Sequence, residues 1–491
     1  MSSSSPTLRI DPRPRFRLSL YRLMQFMEPL GTTDGSVEAG WDFGHAGWRE
    51  DLLAATRTLA PTLIRWPGGI LSSYYRWREG VGPRPTRRPM LNLLWGGIES
   101  NQIGTHEFIE FCRQVGADPL IAVNFDADGS RRWARTASGD VRAAGPDEAA
   151  AWVDYCNNPA NLSRRANGCP EPFRVHLWQI GNETSYVRDG WDAETSAHRT
   201  RAFAEAMRRA DPTIQLIGWG DSGWAPTLLD VAGDQLQYVA FHHHFGSGLD
   251  DSPLVWNQYR DDPARTWEHL MHAWHSTDAK LREMREAISG WNGALALTES
   301  HFALPGRNRC DVLATWAAGV ANARILNVHE RHGDVLRIAT LADFCGTRWM
   351  NNAVIIPTPQ GSAPAYLMPV ARVMALYRHH SGDWALDVVS APAQLDVTAS
   401  RTGNTVFVHA VNTDRARALP FTLEVADHTI LSGQLWEITD DPMREIDQSG
   451  PGLFAPVRRP LAEASTWTCP PASVSALELA IEQRAPSHDN Q

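Results

Sequence analysis

The sequence has no cysteine pair at metal-binding or redox spacing, no excess of positive charge and no charge-free run as long as a membrane helix. Each absence removes a class of function. Cys112, Cys156, Cys169, Cys310, Cys345 and Cys469 are scattered, so free thiols in a reducing cytoplasm are expected rather than a disulfide framework. A formal net charge of -10 leaves no basic face for nucleic acid. Without a long apolar run no membrane-spanning helix is expected. The start, Met1-Ser-Ser-Ser-Ser-Pro6, lacks the apolar centre of a signal peptide, and a cytoplasmic protein is the expectation.

What is present describes a globular chain of 491 residues, 43% hydrophobic and 21% charged, long enough for one large domain and a smaller one. Trp outnumbers Tyr by 20 to 9, and flat apolar rings suit sugar faces as well as cores. Apolar strand-like runs occur at Leu18–Phe26, Thr62–Trp66, Pro119–Asn124, Val175–Gly181, Ile214–Trp219, Leu236–His242, Ala294–Glu299 and Val335–Leu341. Amphipathic helix-like stretches lie between them at Trp48–Leu59, Thr105–Val115, Pro146–Tyr155, Ala197–Arg209, Pro263–Ile288 and Leu313–Arg331, and Ala365–His380 follows. Eight strand-then-helix units predict an α/β fold, a (β/α)8 TIM barrel over 17–383. From about Trp384 short alternating runs separated by Gly, Pro, Asn and Asp predict an all-β sandwich, jelly-roll-like, over 384–483. Residues 1–16 are expected to add an edge strand to that sandwich, and 484–491 to form a disordered tail.

Two of the strand runs end on acids. Arg174 to Ile180 reads as a buried strand that stops at Gly181-Asn182-Glu183, and Ala294 to Glu299 has the same form. Desolvating a carboxylate is costly, so an acid at the tip of an apolar strand asks for a reason. In a barrel both tips reach the same mouth. Two carboxyl groups roughly 5 Å apart there would perform retaining glycoside hydrolysis, one protonated and one ionised. Two carboxylates suffice for that chemistry, and no cofactor is implied.

Ordered motifs accompany the acids. They are Phe26-Met27-Glu28-Pro29-Leu30-Gly31, Ile64-Arg65-Trp66-Pro67-Gly68-Gly69, Tyr75 to Pro83, Trp95 with Glu99 to Phe108, Trp152 to Asn157, and Trp178 to Glu183. Together with His242 and Glu299 they resemble glycoside hydrolase family 51, the α-L-arabinofuranosidase-like members of the retaining clan of (β/α)8-barrel glycosidases. The resemblance covers essentially the whole barrel; the sandwich is resembled in position and pattern. It implies Glu183 as general acid/base and Glu299 as nucleophile. It implies sugar contacts from Glu28, Arg65, Asn182 (at the 2-hydroxyl), His242, His244, Trp95 and Asp343. An exo-acting furanosidase on a carbohydrate substrate follows, with no nucleic-acid or membrane partner and with room for a homo-oligomer.

Four positions depart from the family pattern. Ile70 replaces a small polar residue after the Pro-Gly-Gly turn. His244 stands where a Tyr would touch the nucleophile, and is expected to add titratable charge there. Ser300-His301 replaces a Trp after the nucleophile, and Asp343 stands in place of a sugar-contacting Gln. The catalytic pair is therefore better supported than the sugar, and another furanoside, a β-xyloside or a β-glucan remains open. Two readings of other classes also remain: a non-catalytic carbohydrate-binding protein, and a metal hydrolase using His242 and His244. Alternation along a strand lets only those two of the three histidines share a ligand, and no other ligand motif accompanies them, so no metal is expected.

Overall fold

The structure is a computed structural model that describes residues 6–304, 310–461 and 465–484. All but the first of the residues expected to form the disordered tail lie outside that set.

Eight parallel strands form the central layer: Gln25–Phe26, Leu63–Trp66, Asp118–Val123, Leu177–Ile180, Gln215–Trp219, Tyr238–Phe245, Ala294–Phe302 and Leu336–Ala339. Each pairs with its successor in the chain. The barrel closes where the Met24 N–H donates to Ala339 O at 2.8 Å and Asp343 pairs with Phe26. One apolar side chain from each strand region, Met24, Leu63, Leu120, Leu177, Ile217, Ala240, Ala296 and Ile338, fills the lower interior. Two residues further along four of these strands the interior turns polar, with Arg65, Gln179, His242 and Thr298 all buried. Period-two alternation thus stacks a polar layer directly above an apolar plug.

Helices cover the outside. Thr105–Val115 forms as expected, Trp316–Arg331 starts three residues late, and Pro263–Ile288 divides at Ala273 into Pro263–His272 and Trp274–Ala287. A short helix, Ala225–Ala232, not among the expected ones, fills the link between the fifth and sixth strands. The first strand is far shorter than expected. Leu20–Leu23 forms a 3-10 turn capped by the Ser19 hydroxyl, and only Gln25–Phe26 joins the sheet.

The C-terminal region is one folded sheet of nine strands enclosing its own core, which includes Leu8, Ile10, Val406, Leu435 and Leu477. The N-terminal strand Thr7–Asp11 belongs to it but not at an edge. It runs antiparallel to Trp384–Ser390 on one side and parallel to Leu419–Val425 on the other. Leu8 and Ile10 are both fully buried, and a two-sided position is what lets this five-residue strand bury them. The edges are instead Val457–Pro460 and Thr466–Cys469, short strands absent from the sequence reading. Cys112, Cys156, Cys169, Cys345 and Cys469 are free thiols. Among the described residues no helix is long and apolar enough to cross a membrane.

Candidate active site

The tips of the fourth, sixth and seventh strands bring Glu183, His242, His244 and Glu299 together, with one side-chain donor atom from each lying within 4.8 Å of the others. A β-bulge makes this possible on the seventh strand. Phe241 pairs with Leu297 but His242 pairs with Glu299, so Thr298 is the extra residue. A bulge re-aims side chains. Here it leaves Thr298 Oγ1 2.9 Å from His242 Nε2 while Glu299 lines the cavity. On the fourth strand the backbone turns at Gly181 (φ 82°) and then at Glu183 itself (φ 53°). A non-glycine residue held in the left-handed region is a strained position that the surroundings must enforce.

Glu183 Oε1 is 3.0 Å from His242 Nδ1. Burial pushes the Glu183 carboxyl up to about 7, against the pull of Arg65. Burial also drives His242 down to about 4, so its ring is neutral at pH 7. Glu299 receives Arg65 Nη1 at 2.9 Å. Arg65 also donates from Nε to Gln179 Oε1 at 2.8 Å and from Nη2 to Asn182 Oδ1. One buried fork therefore spans the second, fourth and seventh strands, as a planar guanidinium can. Asn182 Nδ2 is buried and has no hydrogen-bond partner.

Glu28 lies beside Glu299. It accepts the Leu71 N–H at 2.9 Å and a bond from Trp95. Burial and the Glu299 charge raise it well above the usual carboxylate range. Two carboxyls this close do not both ionise readily, and the Arg65 contact favours the charge on Glu299 over Glu28. Gly69 admits both groups: a Cβ there would sit 2.7 Å from Glu299 Oε1 and 3.1 Å from Glu28 Oε2.

The two acids open on a cavity of about 490 Å³ that Glu28, Ile70, Trp95, His244 and Asp343 also line. Arg65, Asn182 and His242 stand behind its wall. The expected site residues are thus all brought to one place. Trp66 and Trp77 are not part of it: they are buried in an aromatic cluster with Tyr75, Phe108 and Trp152. His244 does not bring the charge expected of it. Its ring is part-exposed at the cavity mouth, where partial desolvation and the neighbouring His301 lower it from its ordinary value and favour the neutral ring, with Nε2 3.8 Å from the Glu299 carboxylate. Burial raises Asp343 to about 8, reinforced by the charge of Asp34.

His301, already marked as a departure from the family pattern, is one further neighbour, and the others carry no recognisable sequence signal. His301 lines the cavity and packs against the His244 ring at 4.5 Å between centroids. Trp349 and Asn351 reach the cavity from the irregular segment that follows Gly346. Asp221, just past the fifth strand, accepts Tyr186 OH at 2.6 Å, Lys280 Nζ at 2.6 Å and the His242 N–H at 3.2 Å.

The four clustered donors match metal-ligand types by distance alone. Arg65 is already bonded to one of them, and both nitrogens of His242 are engaged. A buried cation in contact with a ligand carboxylate opposes a second cation. The arrangement is better suited to moving protons and displacing a leaving group between two acids.

Comparison with known proteins adds three findings. Residues 55–260 match the family model described as "Alpha-L-arabinofuranosidase 1 domain". Alpha-L-arabinofuranosidase C of Emericella nidulans is 39% identical over 194 residues, which are 38% of this chain and 34% of the relative. An intracellular exo-alpha-(1->5)-L-arabinofuranosidase of Halalkalibacterium halodurans is 34% identical over 247 residues, 46% of this chain and 45% of the relative. The chain thus spans between a third and a half of the length of these curated relatives. The fold matches along nearly its whole length. The GH51 arabinofuranosidase of Xanthomonas axonopodis pv. citri gives a TM-score of 0.80 at 22% identity, covering 96% of this chain and 99% of that one. The arabinose complex of the Thermotoga maritima alpha-L-arabinofuranosidase gives 0.78 at 23%, covering 97% and 100%.

Proposed function

We propose that this chain belongs to the glycoside hydrolase family 51 α-L-arabinofuranosidases and is a retaining exo-glycosidase that releases terminal L-arabinofuranose; the matched arabinofuranosidase segment and the curated relatives support this reading. One observation carries the mechanism: Glu183 and Glu299 bring carboxylate oxygens within 4.8 Å of each other across one cavity. That separation belongs to double displacement and leaves no room for the water of an inverting reaction.

Glu299, held ionised by Arg65, attacks the anomeric carbon and forms a covalent glycosyl ester. Glu183 starts protonated and passes its proton to the departing oxygen. The same carboxylate then takes a proton from water, which attacks the anomeric carbon of the intermediate, breaks its bond to the Glu299 oxygen and restores the original configuration. The unpartnered Asn182 Nδ2 supplies a donor for the 2-hydroxyl, a contact that strengthens in the transition state. Asp343, raised to about 8, can donate and accept at another hydroxyl, and Glu28 lines the cavity beside Glu299. The reaction needs no cofactor. We assign catalysis to the barrel, 17–383, and none of the site residues to the sandwich, 384–483. The free thiols of Cys112, Cys156, Cys169, Cys345 and Cys469 and the relatives named intracellular support a cytoplasmic enzyme.

Two experiments test this reading. A panel of aryl glycosides is expected to give turnover on α-L-arabinofuranoside; activity confined to a pyranoside would refute the sugar and spare the mechanism. Glu299→Ala is expected to lose turnover and to regain part of it with azide, giving a glycosyl azide of inverted configuration. Unchanged activity in that variant would remove Glu299 as nucleophile.

A further inference from the structure

The loop after the third strand contains four successive residues in the left-handed region: Asp126 (φ 51°), Ala127 (56°), Asp128 (54°) and Gly129 (73°). Three of the four are not glycine. Such a residue is strained and persists only where its surroundings over-determine it. The surroundings here do so. Asn124 Oδ1 accepts the Ala127 N–H at 3.1 Å, the Asp128 N–H bonds Phe125 O at 2.8 Å, and the Trp191 N–H bonds Asp128 O at 3.3 Å.

The outcome of this strain is the placement of one carboxylate. Asp128 is fully buried. Its Oδ1 accepts the Thr184 hydroxyl at 2.7 Å, and the Asn182 N–H also acts on it. Asn182 and Thr184 flank Glu183, which is itself left-handed. No arginine or lysine partner offsets the desolvation of Asp128 among the groups that act on it, and burial raises it to about 6. A buried acid without a cation, at the end of a strained turn, has no stabilising purpose of its own.

We propose that Asp128 is the positioning residue of the acid/base: the left-handed turn presses its carboxylate against the corner that carries Glu183 and fixes that side chain against His242. The inference rests on the reading of Glu183 as the proton donor. Asp128 neither lines the cavity nor touches the reacting atoms; Ser73 also hydrogen-bonds it, and it reaches Glu183 through Thr184 and the Asn182 backbone. Its loss should therefore damage proton delivery and spare attack by Glu299.

Leaving-group dependence separates those two steps. In Asp128→Ala, kcat/KM for alkyl and unsubstituted phenyl α-L-arabinofuranosides is expected to fall roughly 10–100-fold, a fraction of what a placed general acid supplies. With 2,4-dinitrophenol, which departs without a proton, kcat/KM should stay near the wild-type value. Asp128→Asn retains an acceptor for Thr184 and should recover most of the lost rate. Thr184→Val should show the same selectivity in weaker form, and it decides the matter if Asp128→Ala does not fold. An equal loss on all leaving groups, or no loss in a folded Asp128→Ala, would overturn the proposal. Wild-type protein inactive on every furanoside would instead overturn the proposed function.

Discussion

Arg65 Nη1 stands 2.9 Å from Glu299 Oε1, with the guanidinium fully closed off from solvent. The same fork reaches Gln179 and Asn182. It ties the second strand to both acid-bearing strands, and it sets which of two neighbouring carboxyls is charged. Arg65→Ala leaves Glu299 buried without its cation. Breaking a buried pair in this way costs about 3–5 kcal/mol, measurable as a lower denaturation midpoint in urea. The Glu299 carboxyl, already raised by burial, should rise further. The acid limb of kcat/KM then moves to higher pH. Arg65→Lys should not restore it, because a single ammonium cannot span three acceptors.

The pH profile of the unmodified protein follows from the same site. Glu183 must be protonated to donate, and its carboxyl loses the proton at about 7. Glu299 must be ionised to attack. The rate kcat/KM is therefore expected to be bell-shaped, falling on the alkaline side near pH 7 as Glu183 ionises and on the acid side as Glu299 is protonated. Glu183→Gln removes the alkaline limb. A residual limb at the same pH in that variant, measured on a dinitrophenyl glycoside, would mean that another group titrates there.

Much of this site was legible in the sequence because strand periodicity and motif spacing both point to it. Glu183 and Glu299 end apolar runs of strand length, and Arg65 lies within one. Each of those facts is local. Asp128 and Asp221 are ordinary loop aspartates in the sequence. Their significance comes from what the fold sets against them, Thr184 for one, Tyr186 and Lys280 for the other. The bulge at Thr298 is equally silent, because it appears only in the pairing with His242. The first strand was read too long because Leu18 to Leu23 is as apolar as a strand, while Ser19 caps a 3-10 turn there. The N-terminal strand was assigned an edge because a sequence shows one strand at a time, and its two neighbours are nearly four hundred residues away.

The cluster of Glu183, His242, His244 and Glu299 makes metal dependence a direct question. The Arg65 contact and the two engaged nitrogens of His242 argue that these side chains serve one another. Prolonged dialysis against a chelator is expected to leave kcat/KM unchanged. A loss that added zinc restores would give the site to a metal instead, since a bound ion would dominate its electrostatics.

Asp343 allows a test that does not depend on turnover. Its carboxyl is buried in the cavity wall and raised from 3.8 to about 8 by burial and by Asp34. In this window the folded protein holds a proton that the unfolded chain has released. Stability therefore declines as pH rises from about 4 to about 8, and the contribution of Asp343 is fully lost above that. An amide keeps the shape and has no charge to desolvate. Asp343→Asn should match the wild-type thermal midpoint near pH 4 and exceed it near pH 8, with the gap widening between. A constant offset at all pH values would show that Asp343 ionises in the folded protein as it does in the unfolded chain. In that case the hydroxyl-facing group at this end of the cavity is a carboxylate, and sugars offering it two donors would be preferred over those offering an acceptor.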